Sequence, residues 1–434
     1  MGKGNLVTVN GKSFLLPFVL ISLLFLLWGT AHSLLDVLNK HFQDVLGISK
    51  AKSGLVQFAM YGGYFVAALP AGYFIRKFGY RKAIVLGLLL FASGAFMFIP
   101  IAHIKEFWAV LVALFTIACG LACLETAANP YSTILGPKES AERRINLSQS
   151  LNGIGWIIGP LAGLIVFGGG GNHFDSLSIP YIILGFSVFA VALLFMFVKL
   201  PDVRHEKTSV KANSGSLLQN RLFIFAVGAQ FLYVAAQTGV NSMFINYVVE
   251  NAANINLTLA GVLGLSPTLS MFASPEATAA VILSFGGMGC FFIGRLSGSF
   301  IMKKVEPEKL LMLYAICSTI LMAVTVVNLG FASIIALFLT YFFMSIMFPT
   351  IFSIGIRNLG DKKEKGSSII IMSIVGGALS PILMGAIADA LNMSLAFIVP
   401  LACFAGIMLF AFYAKDQNIK EKVGSEILEE ELVS

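Results

Sequence analysis

Runs of apolar residues, each closed by a short polar or charged stretch, recur along the whole chain. A helix needs about 20 apolar residues to span a hydrocarbon core. Twelve runs meet that length, at roughly 14–39, 54–75, 82–102, 107–136, 146–169, 179–199, 221–249, 277–302, 309–329, 331–356, 367–389 and 393–414. Helices are expected because each satisfies its own backbone polar groups inside lipid. The interval 201–220, polar, charged and Ser/Gly-containing, splits the twelve into six and six. The predicted fold is therefore an all-α membrane protein of twelve transmembrane helices in two six-helix halves. Residues 1–200 form the first half, 201–220 a linker, 221–414 the second half and 415–434 a charged tail.

The halves echo each other. Ala71-Gly72-Tyr73-Phe74-Ile75-Arg76-Lys77 ends the second run, and Ser297-Gly298-Ser299-Phe300-Ile301-Met302-Lys303-Lys304 ends the eighth, the second of its half. Gly159-Pro160 in the fifth run corresponds to Ser380-Pro381 in the eleventh. Parallel repeats of six helices point to a two-half transporter with its site between the halves.

Composition narrows the class. At 57% apolar and 12% charged residues, a soluble domain of this size is excluded. The net charge of +7 does not signal nucleic acid, because the basic residues fall in short clusters between apolar runs. With both termini on one side, that side carries 24 of the 29 Lys and Arg residues. The positive-inside rule makes it the cytoplasmic one. The five cysteines lie in apolar runs without metal-ligand spacing, so neither a disulfide framework nor a zinc site is expected. Met1 to Ser13 shows no cleavable signal pattern. No nucleophile–base constellation appears, so an enzyme is not expected and no cofactor is implied.

Two acids stand inside apolar runs. Glu125, in Cys123-Leu124-Glu125-Thr126-Ala127-Ala128-Asn129-Pro130, is the more informative. An ionised carboxylate at mid-membrane costs at least ~3 kcal/mol, and such residues normally face a cavity or the bundle interior. Asp36 lies in the first run, where pairing with His32, Lys40 or His41 at the outer interface is the competing reading. Desolvation favours the neutral form of a carboxyl, which suits both acids to binding and releasing a proton. The remaining polar residues follow helical spacing. Glu125 and Asn129 are i,i+4; Asn146, Gln149 and Asn152 share a face of the fifth run; Gln230, Tyr233, Gln237 and Asn241 are spaced by 3, 4 and 4 on the seventh. Amides and a phenol along one face, with Trp28 and Trp156 as aromatic walls, suit a sugar. The same amides also serve to hold helices together. Arg295, near one end of the eighth run, fits a gating or helix-fixing role better than substrate contact.

Six strings resemble the fucose:proton symporter family of the major facilitator superfamily. They are Phe25-Leu26-Leu27-Trp28-Gly29 followed by Asp36, Cys123 to Pro130, and Asn146 to Asn152. Ala229 to Tyr233 with Ala236-Gln237-Thr238, Phe292 to Arg295, and Pro349 to Ser353 complete the set. The resemblance covers nearly the whole chain in order and is most specific from Leu124 to Pro130. It implies alternating access, a protonatable pair of Asp36 and Glu125, and sugar contacts from Gln149 and Asn152 with help from Gln230 and Gln237. The implied activity is proton-coupled import of a hexose or deoxyhexose. L-fucose is the first candidate, and glucose, galactose, mannose and N-acetylglucosamine remain open. A sodium-coupled or uncoupled sugar carrier and a membrane solute sensor are the alternatives. The resemblance and the compact loops point to a bacterial inner membrane, with the bilayer and a small-molecule sugar as partners; a monomer is expected. His32-Ser33 stands where an amide-rich pair is usual, Leu35 where Asn is frequent, and Phe348 where some members carry Tyr; each alters a possible polar sugar contact.

Overall fold

A computed structural model describes residues 6–9, 12–46, 50–104, 106–167, 174–198, 200–201, 217–251 and 282–433. Side chains of 35–54, 159–167, 174–177, 218, 251 and 421–433 lie outside the description. The Gly168 to Gly171 turn, most of the 201–220 linker and nearly all of the 250–276 loop fall outside it too.

The chain opens with a two-stranded antiparallel hairpin, β1 (Thr8–Val9) and β2 (Lys12–Ser13), in which Thr8 pairs with Ser13. The helices are α1 (Leu15–Leu46), α2 (Lys50–Phe78), α3 (Tyr80–Phe96), α4 (Phe98–Ile104), α5 (Phe107–Ile134), α6 (Ala141–Phe167), α7 (Phe174–Phe197) and α8 (Arg221–Asn251). They continue with α9 (Met288–Ile301), entered through a π-helical turn at Ile282–Gly287, then α10 (Pro307–Val327), α11 (Phe331–Met344), α12 (Met347–Ile356), α13 (Lys363–Met372), α14 (Gly376–Ala390), α15 (Met393–Ala396) and α16 (Ile398–Val433). Taken with their broken pairs, these make the twelve expected spans. Leu6 accepts from Arg144, Asn418 of α16 donates to Glu308, and Arg357 joins Glu308 to Glu142, so the described ends of the chain lie on one face, here called the termini face.

Several spans are broken where the apolar pattern predicted one helix. The third breaks at Met97, the tenth at Ser345-Ile346 and the twelfth at Phe397. Each break lies about three residues before a proline: Pro100, Pro349 and Pro400. A proline has no N–H for the carbonyl four residues earlier, and its ring clashes with that carbonyl. The eleventh span is interrupted by a 3-10 turn at Ser373–Val375. Among the described residues, ten spans are apolar and long enough to cross a bilayer on composition alone. The sixth helix α6 starts polar, carrying Glu142, Arg143, Arg144 and three amides in its first half, and it packs against α1, α9 and α12. The charged tail continues α16 to Val433.

In the first half α1 packs on α6, and α5 on α2 and α3; in the second, α8 packs on α14 and α16, and α10 on α11 and α16. The α1–α6 contact is close because two glycines interlock. A methyl at Gly155 would come within 2.6 Å of the Thr30 nitrogen, and one at Gly29 would overlap the Asn152 carbonyl. Outward-facing Phe58, Phe186, Phe197, Ile382 and Leu409 stay exposed, as a lipid-facing belt requires.

The halves meet mainly toward the termini face, where α6 touches α9 and α12, and α13 touches α2 and α5. Arg357 donates to Glu142 Oε1 at 2.7 Å and to Glu308 Oε1 at 2.6 Å. Around it lie Lys363 Nζ to Thr133 Oγ1 at 3.1 Å, Tyr80 to Glu364 at 3.2 Å, and Ser299 to the Arg143 carbonyl at 3.0 Å. Fully buried Arg144 donates to the carbonyls of Ser132, Thr133, Pro137 and Leu6. It thereby caps the end of α5 and anchors the segment leading into the hairpin.

Candidate functional site

Midway between the halves lies a small cavity of ≈ 40 Å³, room for a few water molecules. Three of the predicted site residues line it: Gln237 and Asn241 from the spacing on the seventh run, and Trp28 as an aromatic wall. So do His32, Gln57, Tyr61, Trp156, Thr238, Ser242 and Phe348. Of these, Gln57, Tyr61 and Ser242 carried no signal in the apolar pattern beyond being polar residues within a span. Tyr61 Oη and Thr238 Oγ1 meet at 3.0 Å and join α2 to α8 across the halves. Asn241 is held by Tyr341, which donates to its Oδ1 at 2.9 Å.

Trp28, His32 and Trp156 form an aromatic corner of this cavity. The His32 ring centroid lies 4.8 Å from Trp28, 5.8 Å from Tyr64 and 6.2 Å from Trp156. Trp28 Nε1 donates to Tyr64 Oη, and His32 Nε2 lies 3.1 Å from the same oxygen. Tyr64 is fully buried, and its phenol in turn adjoins Glu125.

Beyond the cavity, toward the termini face, is a buried polar layer containing Glu125, Asn129, Gln149, Asn152, Gln230, Tyr233 and Arg295, each at most 3% exposed. Gln149 donates to Asn129 Oδ1 at 2.7 Å. Asn152 donates to the Phe25 carbonyl at 3.3 Å, which ties α6 to α1. Arg295 crosses from the second half. Its Nη1 donates to the Gln149 carbonyl at 3.0 Å and to Asn152 Oδ1 at 3.4 Å, and its Nε donates to the Ser345 carbonyl at 2.7 Å. The guanidinium rests over Phe291, 4.5 Å from the ring centroid. Arg295 thus fixes helices, and its charge also acts on Glu125.

Some of these groups lack a protein partner. Glu125 Oε2, Trp156 Nε1 and both polar atoms of Gln230 are buried without one. Buried polar groups are nearly always hydrogen-bonded, and these atoms retain that bonding capacity. The predicted set therefore falls into two groups. Trp28, Gln237 and Asn241 wall the cavity, while Glu125, Asn129, Gln149, Asn152, Gln230 and Tyr233 form the layer beyond it. Asp36 lies on α1, one turn past His32, with its side chain outside the described residues.

Comparison with known proteins places these features in context. Residues 18–374 match the family model described as Major Facilitator Superfamily. The chain is 37% identical over 430 residues to the L-fucose-proton symporter of Escherichia coli strain K12, covering 93% of this chain and 94% of that protein. It is 33% identical over 413 residues to a glucose/galactose transporter of Brucella abortus, covering 94% of this chain and 95% of the relative. Among solved structures, that of FucP, a Major Facilitator Superfamily transporter in the outward conformation, superposes with a TM-score of 0.77 at 37% identity over 93% of this chain and 99% of that one.

Proposed function

The chain belongs to the Major Facilitator Superfamily, within its fucose:proton symporter family, and from that premise we propose that it is a proton-coupled symporter importing a hexose or deoxyhexose by alternating access. The observation that carries this reading is Glu125. It is 2% exposed inside a membrane helix, and one oxygen has no protein partner. It adjoins Tyr64 and Asn129 beyond an amide- and aromatic-lined cavity.

In this mechanism the protein takes up a proton and a sugar from the face opposite the termini, which is the outside of a bacterial inner membrane. Trp28, Gln237 and Asn241 meet the sugar first. As the sugar settles, Gln149, Asn152, Asn129, Gln230 and Tyr233 supply the donors and acceptors that its hydroxyls require. Protonation of Glu125 and Asp36 removes negative charge and favours the loaded state. The halves, residues 1–200 and 221–414 joined through 201–220, then rock so that the termini face opens. Loss of the proton to the cytoplasm favours release of the sugar. The protein works as a monomer, with both termini and the 415–434 tail in the cytoplasm. L-fucose is the first substrate to test, and glucose and galactose come next because a relative carries those names.

The test is uptake into proteoliposomes under an imposed pH gradient across a panel of sugars, with sodium replaced at fixed pH as a control. Glu125→Gln is expected to abolish gradient-driven accumulation and to retain counterflow exchange. Uptake indifferent to the pH gradient, with an unaffected variant, overturns the reading.

A further inference from the structure

We propose that His32 and Tyr64 form a proton relay joining the cavity to the buried Glu125 carboxyl. The inference rests on the symport reading above and adds two residues to the proton path.

The three groups descend in depth. Measured along their helices at 1.5 Å per residue, His32 stands roughly 25 Å, Tyr64 roughly 21 Å and Glu125 roughly 14 Å from the helix ends at the termini face. His32 lines the cavity, whereas Tyr64 is fully buried and Glu125 nearly so. A proton arriving from the far face therefore reaches His32 first and has no open water path onward. Tyr64 Oη bridges the gap, 3.1 Å from His32 Nε2 on one side and against Glu125 on the other.

The hydrogen-bond inventory gives this bridge a direction. Trp28 Nε1 can only donate, and it donates to Tyr64 Oη. The phenol then has one proton to give and one acceptor position left, with His32 and Glu125 as its two remaining neighbours. When His32 Nε2 carries its proton toward Tyr64, the phenol proton points at Glu125, and the chain runs inward.

Transfer then balances atom by atom. His32 Nδ1 takes a proton from water in the cavity, Nε2–H passes its proton to the phenol oxygen, and the phenol O–H proton moves to the Glu125 carboxylate. His32 is left neutral in the other tautomer, Tyr64 is neutral again, and one proton has entered for one bound at Glu125. A histidine suits the outer position because its two ring nitrogens can accept a proton on one side and give one on the other. Among the described residues, the titratable and charged groups facing the relay are Tyr61 on α2, Glu125 on α5 and Arg295 on α9. Asp36 follows one turn along α1.

The experiment measures sugar-evoked proton uptake into proteoliposomes beside sugar counterflow, in wild type, Tyr64→Phe, His32→Gln and His32→Ala. If the relay operates, the ratio of sugar-evoked proton uptake to counterflow falls roughly tenfold or more in all three variants, whatever change the cavity-lining His32 brings to sugar half-saturation. Added imidazole restores proton uptake in His32→Ala, an effect that lost packing does not produce. Should Tyr64→Phe misfold, the two histidine variants and the imidazole rescue decide alone. Unchanged proton uptake in folded His32→Gln, or a slow His32→Ala that imidazole fails to rescue, overturns the relay and leaves the symport reading standing. Absence of sugar-evoked proton uptake in wild type overturns both.

Discussion

Arg357 in the second half holds Glu142 in the first at 2.7 Å, and the same guanidinium holds Glu308 of its own half at 2.6 Å. Only the first of these bonds crosses the boundary between the halves, so only it opposes opening of the termini face. Glu142 and Glu308 are almost fully buried, whereas Arg357 is about one-third exposed (32%).

That difference yields a paired prediction. Removing one partner of a fully buried ion pair costs about 3–5 kcal/mol, and solvent exposure lowers this. Glu142→Gln should therefore shift the equilibrium toward an open termini face by about 1–2 kcal/mol, close to tenfold. Double electron–electron resonance between spin labels at positions 139 and 365 should show a growing long-distance population. Glu308→Gln, with its charge on the same side of the boundary as Arg357, should lower the melting temperature and leave that distance distribution in place. Equal opening in both variants would contradict the assignment of Glu142 as the bond across the halves.

Gln230 allows the sugar reading and the packing reading to be separated. Neither of its polar atoms has a protein partner although the residue is fully buried. Gln230→Ala should therefore leave the melting temperature of the sugar-free protein unchanged or raised. Each lost hydrogen bond to sugar should weaken binding by ~1 kcal/mol, so the dissociation constant should rise roughly fivefold or more. Asn146→Ala is the contrast. Asn146 donates to the Glu142 carbonyl at 2.8 Å and to Thr350 Oγ1 at 3.2 Å, so its loss should lower stability with little change in sugar affinity. Calorimetric titration and thermal unfolding read both outcomes, and the reverse pattern would make Gln230 a packing residue.

The twelve spans, the division into halves and the oddity of Glu125 were legible in the chain because each rests on local hydropathy. Pairings across long separations were not. Arg357 and Glu142 each read as an ordinary charge at the end of an apolar run, and nothing in either neighbourhood names the other as its partner. The position of Arg295 in the chain suggests gating or helix fixing, but its carbonyl acceptors Gln149 and Ser345 are visible only once the helices pack. His32 stood out only as a departure from the usual amide pair; its aromatic corner needs Tyr64 and Trp156 from two other spans. Pro349 is among the prolines whose kinking was read from the chain; Pro100 and Pro400, which mark two further breaks, were readable and missed, as was the hairpin signal Asn10-Gly11 between short β-prone runs.

The Tyr61–Thr238 bond is placed to restrain the far side of the cavity. Its net worth is ~0.5–1.5 kcal/mol, so Tyr61→Phe should make the cavity more accessible from the far face by roughly threefold. The phenyl ring keeps the wall, and the melting temperature should hold. The rate at which a membrane-impermeant thiol reagent modifies Ser242→Cys, with and without Tyr61→Phe, measures this directly. An unchanged rate would mean that access is limited elsewhere.

The glycine interlock between α1 and α6 makes the last prediction, which concerns the frame that holds the site. A methyl at Gly29 would overlap the Asn152 carbonyl, and Asn152 in turn accepts from Arg295. Gly29→Ala must push α6 away from α1 or shift the Asn152 main chain, and overpacking of this kind costs about 1–3 kcal/mol. The displacement also moves Asn152 Oδ1 relative to Arg295, so binding should weaken along with stability. A methyl added at Gly228 on α8 would meet nothing within 4 Å. Gly228→Ala should stabilise the protein by about 0.4–1 kcal/mol, because alanine loses less backbone freedom on folding. Thermal unfolding in one detergent should therefore place Gly29→Ala below wild type and Gly228→Ala at or above it. If both variants melt together, the close approach of α1 and α6 does not govern the stability of the first half.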